Sequence, residues 1–143
     1  MKSDLEKSKE IFKNGDYTCV LCNGETTYTS TERGLKPLIT WLENDTDLKG
    51  FSVSDKIVGK AAAMLYSLLK VSAVYAPVMS EAGAQTLTKS GITPLYDTIV
   101  KEIRNRQNTG LCPMEEAVKD IDNSKEALTA IKQKIKQIMA QHS

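Results

Sequence analysis

Residues 17–30 read YTCVLCNGETTYTS and predict a β-hairpin. Two segments rich in Thr, Tyr and Val flank Asn23-Gly24, and an Asn-Gly pair in that setting is the strongest short-range signal for a two-residue hairpin turn. Successive side chains of a strand point to opposite faces. Cys19 and Cys22, three positions apart, should therefore diverge, which disfavours a shared metal site.

Downstream of the hairpin we expect a long helix that Ser54 or Asp55 caps and that runs to about residue 69. Gly59-Lys60 would lie inside this helix. Its apolar residues form a broad face, which favours packing on a sheet. Residues 71–78 are nearly all apolar and predict a strand buried on both sides, after which Ser80 caps a further helix.

Toward the carboxy end, residues 92–96 predict a strand that Pro94 confines to a sheet edge or a bulge. Residues 97–105 fit a helix or a strand equally well. Another helix begins at Pro113, because proline is favoured in a first helical turn. Residues 123–143 repeat apolar positions at three and four residues, which predicts a final helix that docks on the body or on a partner.

The chain shows no internal repeat and no linker, and its 143 residues are enough for one core. We therefore predict an α/β unit over residues 1–122 and a helical extension of the same domain over residues 123–143. With capping-box spacing at Ser3 and Glu6 giving a first helix, the elements predict a three-layer α/β/α fold around a mixed sheet that includes the hairpin.

Composition excludes several classes of protein. The net charge is +1, which gives no general field for nucleic acid, and 41% of the residues are hydrophobic, as in ordinary soluble proteins. No apolar run approaches the roughly 18 residues of a bilayer span, and residues 1–10 lack the apolar segment of a signal peptide. An odd number of cysteines fits a reducing compartment, so a cytoplasmic location is expected.

Few residues offer catalytic chemistry. His142 is the only histidine and stands next to the carboxy terminus, so serine triads and histidine acid–base catalysis are disfavoured. Cys112 is the best candidate nucleophile because it precedes a predicted helix, although Glu115 and Glu116 in that first turn oppose a thiolate there. A packing role for Cys112 is the favoured alternative.

Two other places offer polar donors for a ligand. Lys60 could meet an anion near a helix start, or act as a base or Schiff-base former, although a solvated surface lysine is the simpler interpretation. Asn105 and Arg106 lie in the densest cluster of donors, Arg104 to Gln107, which suits phosphate or carboxylate recognition. A solvated loop is the alternative there.

The order of elements resembles the cytidine-deaminase-like fold. More specifically, the chain resembles an uncharacterised bacterial and archaeal family of that fold over about residues 3–120. Four stretches carry the resemblance: GLKPL at residues 34–38, Asp55 with GKAAA at residues 59–63, SEA at residues 80–82, and CPME at residues 112–115.

The resemblance also shows what is missing. Active deaminases carry His-x-Glu or Cys-x-Glu at the start of one core helix and Pro-Cys-x-x-Cys after the next strand. The matching stretches here are Lys60-Ala61-Ala62 and residues 77–81, PVMSE, which contain neither thiolates nor histidine. The resemblance therefore implies the architecture without a metal, a cofactor or zinc chemistry.

The resemblance implies a pocket in which Lys60, Ser80 and Glu81 stand in place of the zinc site. Asp55, in a stretch that carries the resemblance, is a further candidate ligand-binding residue, and Glu115 with Cys112 would border the same pocket. We therefore favour a metal-free binder of a small polar or nucleotide-like ligand. Two alternatives stay open, namely a non-zinc enzyme that uses Cys112 or Lys60 and an interaction module, with a homo-oligomer possible, that works through its last helix.

The purified protein is expected to retain no stoichiometric zinc and to leave cytidine, deoxycytidine and adenosine unchanged. Zinc catalysis needs three protein ligands and a proton-transferring carboxylate, but among Lys60, Ala62, Val78 and Glu81 only Glu81 is an ordinary ligand. Metal analysis after dialysis and an ammonia-release assay with added zinc test this. About one zinc per chain together with ammonia release would contradict it.

Overall fold

The computed structural model of the chain describes residues 2–32, 34–105 and 107–141. The helices are α1 (Asp4–Asn14), α2 (Lys36–Glu43), α3 (Lys60–Leu69), α4 (Glu81–Lys89), α5 (Pro113–Val118) and α6 (Ser124–Gln141). The strands are β1 (Cys19–Asn23), β2 (Thr26–Ser30), β3 (Ser52–Asp55), β4 (Ile57–Val58), β5 (Ala73–Ser80) and β6 (Thr93–Val100).

All six strands form one mixed sheet, and the predicted hairpin, β1 with β2, lies in it. β1 pairs antiparallel with β2 and with β3, whereas β3, β4 and β6 all run parallel to β5. Because β6 pairs with the whole of β5, β3 and β4 must follow one another along the other side of β5. The prediction of a mixed sheet with an amino-terminal hairpin is confirmed.

The prediction of one helix from residue 55 to residue 69 is wrong at its beginning. Residues 52–55 form β3 and residues 57–58 form β4, and α3 begins only at Lys60. Ser54 and Asp55, the two predicted caps, belong instead to β3, and Ser54 is fully buried in the sheet. The hydroxyl of Ser54 lies 2.8 Å from that of Ser8 in α1, so a distant helix satisfies this polar strand residue.

Helices cover both faces of the sheet, as a three-layer α/β/α arrangement requires. α1 packs on β1, β3 and β5 from one side, while α3 and α4 pack from the other side, with α6 on α3. Val53 belongs to the core under α3, whereas its neighbour Ser54 meets α1, so the two faces alternate along β3. Ala127 and Ile131 of α6 are fully buried, so the last helix docks on the body.

The cysteines of β1 point to opposite faces, as predicted. Cys19 packs in the core beside Tyr66 of α3, whereas Cys22 lies outside that core and its sulfur is 3.7 Å from the hydroxyl of Thr27. Among the residues that the structure describes, none of the helices combines the length and apolar character that a bilayer crossing needs.

Candidate functional site

The amino ends of α3 and α4 meet in direct backbone contact at the carboxyl ends of β4 and β5. Gly59 is the residue that precedes α3, and Gly83 lies in the first turn of α4. A Cβ atom on Gly83 would stand 3.0 Å from both the carbonyl carbon of Gly59 and the carbonyl oxygen of Val58. The absence of a side chain at Gly83 therefore lets the two helix ends meet.

The carboxylate of Glu115 occupies the amino end of α3. Its two oxygens accept hydrogen bonds from the backbone N–H groups of Lys60, at 2.7 Å, and Ala61, at 2.8 Å. Burial raises the pKa of Glu115, while these two N–H donors and the charge of Lys60 act against that shift. A Cβ on Gly59 would overlap this carboxylate, so Gly59 makes the space that Glu115 fills.

The side chain of Lys60 makes a second contact between α3 and the end of α5. Its Nζ donates to the backbone carbonyl of Lys119 at 3.1 Å, just after the last residue of α5. The bidentate cap from Glu115 and this bond join the two helices at two points. Lys60 is only partly exposed and is already engaged, which leaves two of its three N–H donors for a ligand.

Lys60 also lines a cleft of 240 Å³ between α3, α4 and the start of α6. The cleft holds two lysines and one carboxylate among hydroxyl-bearing and apolar neighbours. The lining residues are Lys60, Met64, Thr86, Lys89, Ser90, Asp122 and Ser124. Ser80 and Glu81 are not among them.

Ser80 and Glu81 lie instead at the start of α4. Ser80 is buried, and its hydroxyl accepts a hydrogen bond from the N–H of Gly83 at 2.9 Å, as a helix cap does. Glu81 is exposed in the first turn. The structure thus brings the backbones of the two predicted stretches together, while the side chains of Lys60 and Ser80 make separate contacts.

The other predicted ligand residues lie in or after the segment that leads to α5. Cys112 precedes α5, is partly buried and makes no side-chain cap bond. The Oδ1 of Asn105 accepts from the N–H of Thr109 at 3.0 Å, so this side chain holds its own loop. Arg106, like His142, lies outside the described residues.

Asp55 ends β3 and belongs to a buried network that the sequence does not reveal. Tyr66 of α3 donates its hydroxyl to Oδ2 of Asp55 at 2.6 Å, and the sulfur of Cys19 lies 3.1 Å from the same hydroxyl. The N–H of Lys56 donates to Oδ1 of Asp55 at 2.7 Å, across the break between β3 and β4. Asp55 therefore joins the interior of the sheet to α3.

This network changes the acidity of its members. Burial raises the pKa of Asp55 from 3.8 to about 6, against hydrogen bonds from Tyr66 and from the backbone of Lys56 and Ile57. Burial and the charge of Asp55 raise the pKa of both Tyr66 and Cys19 well above their ordinary values. The cysteine and the tyrosine are thus held neutral, which suits support of the fold better than nucleophilic chemistry.

Tyr66 is the residue of this network that sequence reasoning missed. It lies on the apolar face of α3 and is fully buried, and the hydroxyl of a buried tyrosine needs a partner. That requirement was the available signal, because Asp55, eleven positions earlier in the sequence, is a natural acceptor for the hydroxyl.

Comparison with known proteins covers nearly the whole fold. Residues 7–135 match the model of a family described as "TM1506: Domain of unknown function (DUF1893)". The crystal structure of a DUF1893 family protein (TM1506) from Thermotoga maritima is similar to this chain, with a TM-score of 0.83 and 27% identity over 94% of this chain and 92% of that chain. None of the curated proteins matches the chain.

Replacement of Asp55 by Asn should remove a part of the pH dependence of stability. An acid whose folded-state pKa is raised stabilises the fold most when protonated, so its contribution is complete below about pH 4 and is lost as the pH rises through about 6. The free energy of unfolding of the wild type minus that of Asp55→Asn should fall by roughly 2–3 kcal/mol over this range.

Urea titrations between pH 4 and pH 7 measure this difference. Asp120→Asn is the matched control, because it removes an equally charged but exposed side chain outside the network. A difference that stays flat, or that rises with pH, would show that Asp55 does not titrate in this way.

Proposed function

Because this chain belongs to the DUF1893 family, a domain of unknown function, we propose a function from its own geometry: metal-free binding of a small anionic metabolite in the cleft that Lys60 and Lys89 line. The observation that carries the proposal is that these two lysines line one cleft, in which Asp122 is the one acidic residue among the described lining residues. Two lysines beside a single carboxylate favour an anion.

The size of the cleft limits the ligand. Sites for drug-sized molecules usually measure about 300–1,000 Å³, and this cleft measures 240 Å³. A phosphate or carboxylate group with a few carbon atoms fits this volume better than a complete nucleotide does. Met64 supplies one apolar wall for such a carbon skeleton, and the hydroxyl of Ser124 adds a polar group at the start of α6.

The cap by Glu115 supports a site in this cleft rather than at the amino end of α3. An unoccupied helix terminus attracts anions because its first N–H groups have no partners. Here the first two N–H groups of α3 already bind the carboxylate of Glu115. A ligand anion would have to displace Glu115, whereas the cleft beside Lys60 lies open to it.

We also propose that the chain has the cytidine-deaminase-like fold but does not carry out the zinc-dependent reaction of deaminases. One support is the order of strands across the sheet, which runs β2, β1, then β3 and β4 end to end, then β5 and finally β6. The other is the contact between the starts of α3 and α4. The resemblance would put the zinc site at these starts, where the matched positions hold Lys60, Ala62, Val78 and Glu81 instead.

The two alternatives stay predictions, and no specific observation favours either one. A non-zinc enzyme would need Cys112 or Lys60 free for chemistry, yet the Nζ of Lys60 is bonded to the carbonyl of Lys119. An interaction module would use the apolar face of α6, yet Ala127 and Ile131 of that face are buried against the body.

Small phosphate and dicarboxylate compounds should raise the melting temperature of the wild type, because a ligand that binds only the folded chain stabilises it. Inorganic phosphate, three-carbon phosphomonoesters and four-carbon dicarboxylates are the probes. Lys89→Ala should weaken the binding of the best probe about tenfold, the effect of one charge-assisted hydrogen bond. Lys89 is preferred to Lys60 because Lys60 also joins α3 to α5.

Lys49→Ala is the matched control, since it removes an equal charge from an exposed position outside the cleft. Calorimetric titration measures the affinities. Binding that Lys89→Ala and Lys49→Ala weaken equally would exclude the cleft, and no binding of these anions below about 10 mM would contradict the proposed function.

A further inference from the structure

β6 is a long outer strand with apolar side chains in solvent. It spans Thr93–Val100 and pairs only with β5 among the described residues. Tyr96 and Ile99 are 43% and 42% exposed, and Leu95 is 36% exposed. A long, apolar strand edge with free backbone groups is a template for pairing with another strand.

Pro94 shows which backbone groups of β6 are free. The N–H of Thr93 donates to the carbonyl of Ser72 at 3.1 Å, so residue 93 directs its backbone groups toward β5. These directions alternate along a strand, and the even-numbered residues therefore face outward. Pro94 lies at such a position and removes no bond to β5, which confirms the prediction of an edge strand. The outward N–H groups belong to Tyr96, Thr98 and Val100.

We propose that this edge binds a second copy of the same chain, with the two β6 strands antiparallel about a two-fold axis at Thr98. The three outward donors are symmetric about this residue. Thr98 then opposes Thr98 of the second copy, and Tyr96 opposes Val100 of the second copy. Each opposed pair of this type exchanges two backbone hydrogen bonds, and Pro94 stays outside the paired span.

The charges of the strand fit this arrangement. Asp97 is the only charged residue of Thr93–Val100, and in this register it opposes Ile99 of the second copy rather than its own equivalent. The net charge of +1 causes little repulsion between two copies. On the opposite face of the strand, Tyr96 meets Val100 of the second copy, and aromatic with β-branched pairs are favourable across strands.

The other sheet edge is a poorer choice. β2 reads TTYTS, and its exposed residues are Thr26, Thr27 and Thr29, which water solvates well. Of these two edges, β6 is the one whose exposed residues include large apolar side chains. Because a single pair of strands buries less area than a typical stable interface, the dimer should dissociate in the micromolar range or above.

Opposite charges at position 98 provide the test. Thr98→Lys and Thr98→Glu should each be monomeric, because like charges directly opposite each other destabilise a strand pair. An equal mixture of the two variants should form the dimer again, because the register places Lys against Glu. Sedimentation velocity over a range of concentrations measures the three samples and the wild type, and circular dichroism checks that each variant is folded.

Thr29→Lys is the matched control, since it adds the same charge to an exposed threonine at the other edge of the sheet. It should dimerise as the wild type does. A wild type that is monomeric at about 1 mM would overturn the proposal and leave the edge for a different partner. Variants that dissociate without recovering in the mixture would overturn the proposed register, and a Thr98→Lys dimer as tight as the wild type would exclude the edge.

Discussion

The helical layer depends on the carboxylate of Glu115 at the amino end of α3. An α-helix begins with N–H groups that its own turns cannot satisfy, and a side chain at the preceding residue usually accepts from one of them. Here that residue is Gly59, which has no side chain. The acceptor comes instead from Glu115, 55 positions after Lys60 in the sequence, so α3 is completed only when α5 has docked.

This long-range cap explains several features that lie far apart in the sequence. Gly59 leaves room for the carboxylate, Gly83 lets α4 approach the same point, and Lys60 bonds to the end of α5. The carboxylate of Glu115 thereby occupies the helix end at which a deaminase-like fold would carry metal ligands. The proposed ligand site lies beside this helix end, in the cleft that Lys60 and Lys89 line.

The sequence predicted the elements whose signals are local. Asn23-Gly24 marks the turn of the hairpin, Ser80 caps α4, and Pro94 lies at an edge. The beginning of α3 was mispredicted because Ser54 and Asp55 resemble caps, while their real partners, Ser8 and Tyr66, belong to other elements. The cap by Glu115 could not be predicted for the same reason, since its partner lies in a distant element and nothing near Glu115 in the sequence indicates the start of α3. Resemblance to a family singled out Glu115 but did not give its role.

The most direct test of this account is the unfolding free energy of Glu115→Ala beside that of Glu116→Ala. The two glutamates are neighbours in α5, but Glu116 is exposed. The account predicts a loss of about 1–3 kcal/mol for Glu115→Ala, because two partly buried N–H groups lose their acceptor, and a change within about 0.5 kcal/mol for Glu116→Ala. Equal losses in the two variants would contradict it, because the carboxylate of Glu115 would then not hold α3 to α5.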